Sequence, residues 1–112
     1  MNDSEINTTL AEAMGWHMET DAQGNRDWIK PNGFRYGIFY PLEEGNDVWE
    51  VIDWMEQNGK KLRIVRRDIT EPDQYVGVYK EVYFGPGLGV HFPDEEILTP
   101  RMICLAAIEA LK

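Results

Sequence analysis

Apolar residues recur at helical spacing in three stretches of the chain, and most of what lies between alternates apolar with polar. Ile6, Leu10, Ala13 and Met14 fall on one side of a helix predicted over Ser4 to Met14. Ser4 is its expected N-cap, because a serine hydroxyl accepts from a free N–H of the first turn, and Gly15 is its stop. Val48, Val51, Ile52 and Met55 form a second stripe, predicted to start at a cap on Asn46 or Asp47 and to end at Asn58-Gly59. Trp49 and Trp54 stand at opposite margins of that stripe, while Glu50, Asp53 and Gln57 share its far side. A third helix is expected from Thr99-Pro100, with threonine as N-cap and proline at its favoured first position, to about Leu111.

The strands follow from period-two patterning and turn residues. Trp16 to Thr20 and Trp28 to Lys30 read as a hairpin about the Gly24-Asn25 turn, and Phe34 to Tyr40 as a third strand or an extended segment. Lys60 to Arg67 reads as a strand, Asp68 to Asp73 as a polar loop, and Tyr75 to Phe84 as a long strand. The Gly85-Pro86-Gly87 turn then pairs Leu88 to Phe92 back on it. The expectation is one α+β domain over residues 1–112, with three helices and a mainly antiparallel sheet built of hairpins.

Several short motifs together resemble the phage ABA sandwich domain family, small proteins of tailed phages and prophages. They are the first helix ending in Gly15-Trp16, the tryptophan-bearing hairpin running to Pro31, and the Val48-Trp49-Glu50-Val51 helix ending at Asn58-Gly59. The last is the run Thr99-Pro100-Arg101-Met102-Ile103-Cys104-Leu105-Ala106-Ala107. The resemblance implies an α–β–α layered sandwich and a phage origin. It supplies no activity, cofactor or catalytic residue, and the hairpin from Tyr75 to Phe92 is longer and more aromatic than the family implies.

Composition narrows the function classes. A chain of 112 residues buries roughly 65% of its unfolded surface, enough for one core without metal or disulfide. The lone cysteine, Cys104, excludes an internal disulfide. No apolar run approaches the roughly 20 residues that cross a bilayer, and the first residues are acidic where a signal peptide carries Lys or Arg. A cytoplasmic protein is therefore expected, in a bacterial host if the chain is of phage origin. The formal charge of −9 disfavours direct binding of nucleic acid or an anionic membrane and suits a basic protein partner, although solubility alone also explains it.

Candidate chemistry is sparse. Cys104 lies mid-helix among Ile103 and Ala107 and reads as a core residue. His17 and His91 stand alone in strands, without the clustered ligands that zinc needs, so no metal and no cofactor is expected. Gly85-Pro86-Gly87-Leu88-Gly89 precedes a strand, not the helix a phosphate cradle requires. The acidic pairs Glu43-Glu44 and Asp94-Glu95-Glu96 read as solvated faces. The cations Lys60, Lys61, Arg63, Arg66 and Arg67 read as salt-bridged or as guards of an edge strand.

Aromatic surplus is the more informative feature. Tyr75, Tyr79 and Tyr83, four apart, share one face of a strand and join Trp49 and Trp54 as the candidate interaction surface. On a wheel of the third helix Ile103, Ala106, Ala107 and Ala110 turn inward. Leu105 and Ile108 fall on the opposite side, so they are the candidate homodimer contact unless the first helix covers them. The leading reading is a non-enzymatic phage accessory protein acting by protein–protein contacts, with an acidic inhibitor of a host defence or nucleic-acid-binding protein as its narrower form. The alternatives are a small enzyme or ligand-binding domain, with His91 and acidic neighbours in a pocket, and a minor virion component.

Overall fold

The last helix, α3 (Pro100–Ala110), is the piece around which the rest is arranged. Met102, Ile103, Cys104, Ala106, Ala107, Ile108 and Ala110 are all buried, and its small alanines let neighbouring elements approach closely. The helix packs on β5 (Gln74–Gly85) and β6 (Gly89–Pro93) as well as on α1 (Asp3–Ala13) and α2 (Gly45–Gln57). The remaining strands are β1 (His17–Thr20), β2 (Arg26–Ile29), β3 (Arg35–Gly37) and β4 (Lys61–Glu71). The computed structural model describes residues 1–71, 74–93 and 96–112, with side chains for all of these except 68–71 and 74–78.

The chain is α+β; the described residues form three helices and antiparallel hairpins, whose strands divide into two three-stranded sheets ordered β1-β2-β3 and β4-β5-β6. Alternation places the core. In β5, Val82 and Phe84 are fully buried, whereas Glu81 and Tyr83 face the other way. The first sheet joins the same core through Trp28, with Trp16 and Phe39 beside it, and both of these indoles are buried.

Helix ends show where sequence and structure part. The helix α1 is capped by Asn2, whose side chain accepts from the Glu5 N–H at 2.8 Å, so the cap lies two residues ahead of Ser4. Asparagine caps as well as serine, and the earlier start puts Asp3 in the first turn, where its carboxylate meets Arg101 of α3 at 2.7 Å. At the other end Trp16 N–H reaches the Ala11 carbonyl and Gly15 N–H the Glu12 carbonyl, a Schellman turn that needs the positive φ of Gly15. The N-cap of α2 is Glu44, without a side-chain cap bond, and neither Asn46 nor Asp47 fills that role.

The expected polar loop from Asp68 is also corrected, because β4 runs on to Glu71 and pairs through to Gln74. Only Pro72 and Asp73 of that loop lie outside the described residues. A register shift at Ile69/Thr70 absorbs one extra residue of β5, and among the described residues β6 pairs with β5 from Tyr79 to Tyr83. Beyond those pairs β4 and β5 continue as a two-stranded arm, and the molecule measures 65 × 25 × 21 Å.

Candidate functional site

Where α2 meets the first hairpin, the polar side of the helix and the aromatic face of the hairpin come together. Gly15 lets the end of α1 lie close to one edge of this junction, since a Cβ there would stand 3.2 Å from the Pro31 ring. Directly before Pro31, Lys30 points its ammonium at three rings, 5.4 Å from Trp16, 5.7 Å from Phe34 and 5.2 Å from Tyr36. The same Nζ donates to Glu50 Oε2 of α2 at 3.0 Å. A cation is thus held by ring quadrupoles and by one carboxylate, each strengthened by partial removal from water.

Beside that lysine lies an open groove of about 450 Å³, lined by Met14, Trp16, Lys30, Pro31 and Asn32 on one side and by Glu50, Asp53, Trp54 and Gln57 of α2 on the other. Trp54, expected at the margin of the stripe, is half-buried in this wall. Asp53 is exposed and makes no ion pair among the described residues. The neighbouring outward row of α2 is Asn46, Trp49, Asp53 and Glu56, and Trp49 on it is 61% exposed. Ile38, 81% exposed, lies with Glu43, Glu44 and Asn46 along a second shallow groove at the start of the helix.

One carboxylate of α2 works inward. Asp47 accepts from the Tyr40 N–H at 2.8 Å and from the Tyr36 hydroxyl, so it fastens the first turn of the helix to the segment around β3. Burial, and then the bond to Asp47, raise the Tyr36 pKa above the ordinary tyrosine range.

The other sequence candidates are dispersed. Tyr79 and Tyr83 are half-buried on the outer face of the β4-β5-β6 sheet, and the side chain of Tyr75 lies outside the described residues. On that face Tyr79 lies tilted against His91 with centroids 4.5 Å apart, His91 meets Glu81 at 3.0 Å, and Glu81 meets Arg67 at 3.5 Å. The face is therefore a local polar network. The basic strand β4 is an edge strand of its sheet. His17 pairs with Glu19 at 2.9 Å on an exposed strand.

In α3 the wheel expectation is corrected for Ile108, which is buried at 7% within its own chain beside Ile6 and Val90. The helix α1 lies against α3 and closes that side. Leu105 remains half-buried at the rim of the same apolar groove. Cys104 is fully buried, and burial pushes its pKa up to about 12.

Among the described residues no group of three or more His, Cys, Asp or Glu could hold a metal ion, and no helix is long and apolar enough to cross a membrane. Trp54 and the carboxylates of α2 are legible in the sequence, whereas the arrival of Lys30 beside them is not. The signal was thin: a lysine between buried Ile29 and a proline, twenty residues from its partner. Compared with protein-family models, curated proteins and solved structures, the chain finds no match.

Proposed function

We propose that this is a non-enzymatic accessory protein, of phage or prophage origin, that works through protein–protein contacts made by the acidic outer side of α2. The observation that carries the reading is Trp49. An indole 61% exposed in a row with Asp53 and Glu56 is an anchor of the kind that protein interfaces bury, and the described residues leave most of it uncovered. The exposed Ile38 beside Glu43 and Glu44 extends the surface. The formal charge of −9 favours a basic partner. The phage part of the reading rests on the motif resemblance alone, and a nucleic-acid-binding host protein is its narrower form.

Against catalysis stands the condition of the one thiol, which is buried and strongly disfavoured as thiolate. The test is affinity capture from a bacterial lysate with the wild-type chain and with Trp49→Ala, identifying retained proteins by mass spectrometry. The expected result is one basic protein, held by wild type, released by roughly 0.5 M salt, where the screening length falls to about 4 Å, and largely lost with the variant. Retention that ignores Trp49, or none at all, overturns the reading.

A further inference from the structure

We infer that the groove between α2 and the first hairpin receives the guanidinium group of an arginine from a basic protein partner, seated between the Trp54 indole and the carboxylates of Asp53 and Glu50. The inference rests on the proposed function in one respect, that the arginine belongs to a protein. The chain itself shows what the site favours. Lys30 already lies 5.4 Å from the Trp16 ring and 3.0 Å from Glu50, both of which line the groove, so these walls stabilise positive charge. One cation faces two carboxylates, however, and Asp53 has no ion pair among the described residues. The groove therefore keeps one negative charge beside a half-buried indole.

Size and chemistry select the occupant. About 450 Å³ of open space takes a guanidinium with its stem and leaves room for the backbone outside. An anion is repelled by Glu50 and Asp53, and a purely apolar group leaves the Asp53 carboxylate desolvated without a partner. Between the two basic side chains, arginine fits better. Its planar fork binds a carboxylate through two parallel N–H bonds while its face lies on an indole, which a compact ammonium cannot do. The ammonium position, moreover, is held by Lys30.

The test uses the full chain, labelled with ¹⁵N, and N-acetyl-arginine amide as probe, with N-acetyl-lysine amide and glycine amide as controls. The four indole N–H signals report separately on the four tryptophans. Arginine amide should shift the Trp16 and Trp54 signals with a Kd on the order of 1 mM, leaving Trp28 and Trp49 in place. The lysine probe should bind at least about five-fold more weakly and glycine amide not at all, because neither supplies the stacked fork. Asp53→Asn, an exposed substitution that keeps the fold, should weaken arginine binding about five- to ten-fold. No shift at Trp16 and Trp54 up to ~50 mM probe, equal binding of lysine, or indifference to Asp53→Asn overturns the inference. If the groove binds arginine while no protein is captured through Trp49, the inference stands and the proposed function falls. If a protein is captured equally by wild type and Asp53→Asn, the reverse holds.

Discussion

The Tyr36 hydroxyl donates to the carboxylate of Asp47, and this one bond joins β3 to the first turn of α2. Asp47 thereby takes two jobs, since it also accepts from the Tyr40 N–H and places a negative charge at the positive end of the helix. Asp47→Ala strands both donors in a partly buried place and is expected to cost roughly 2 kcal/mol in urea unfolding. Tyr36→Phe, which keeps the ring, should cost about 1 kcal/mol. A smaller loss for Asp47→Ala than for Tyr36→Phe would contradict the double role.

Burial of Tyr36, and then the same bond, give stability a pH dependence. The raised Tyr36 pKa means that the folded chain keeps a proton which the unfolded chain releases from about pH 10 upward. The stabilisation is complete below that pH and is lost as pH climbs toward the folded-state value. Melting temperatures measured from pH 8 to 11 should therefore fall above pH 10, and fall less steeply in Tyr36→Phe. Parallel curves for the two proteins would remove Tyr36 as the cause.

Gly15 carries two requirements that can be separated. Its φ of +82° strains any other residue, and a Cβ would press on Pro31 at 3.2 Å. Gly24 has a similar φ of +86° with nothing near its would-be Cβ. Gly24→Ala is expected to cost about 1 kcal/mol from backbone strain, and Gly15→Ala roughly 1 kcal/mol more. Equal losses in chemical denaturation would mean that Pro31 yields freely, and with it that wall of the groove.

Cys104 should be almost inert in the native chain. With its pKa near 12 and its side chain fully buried, both thiolate fraction and access are low at pH 8. Labelling by an aromatic disulfide reagent should proceed only as fast as the chain opens and become immediate in denaturant. Rapid native labelling would show that α3 is not enclosed as described.

Leu105 and Ile108 should separate under the same charge insertion. Ile108→Glu places a carboxylate against Ile6 and Val90 and is expected to cost more than about 3 kcal/mol or prevent folding. Leu105→Glu, at a half-buried rim, should cost about 1 kcal/mol. Sedimentation equilibrium of the wild type then tests the contact between copies proposed at Leu105. A mass of 13.0 kDa at tens of micromolar removes it.

What was legible in the residues was whatever local spacing decides. The stripes at Val48, Val51 and Met55 and at Ile103, Ala106 and Ala107 define buried faces because 3.6-residue periodicity acts within one element. Thr99-Pro100 marks a helix start for the same local reason, and Thr99 does accept from Met102 N–H at 3.3 Å. Asp47 was misplaced because its partners, Tyr36 and Tyr40, come from a different segment, and a side chain near a helix start reads as a cap until those partners are known. The continuation of β4 to Glu71 was hidden because Asp68 to Asp73 is largely polar and includes Pro72, which reads as a loop until the pairing with β5 is known. The groove was the least legible part, since it exists only where Lys30 and Glu50, twenty positions apart, converge.

The two-stranded arm also changes how the molecule moves through water. A compact chain of 112 residues has a radius of gyration of about 13 Å, and this one has 16.6 Å. Friction rises with elongation, so a lone copy drifts more slowly than its 13.0 kDa mass suggests and leaves a sizing column early. Elution position therefore overstates its mass, whereas light scattering, which weighs particles irrespective of outline, reads one copy as one copy.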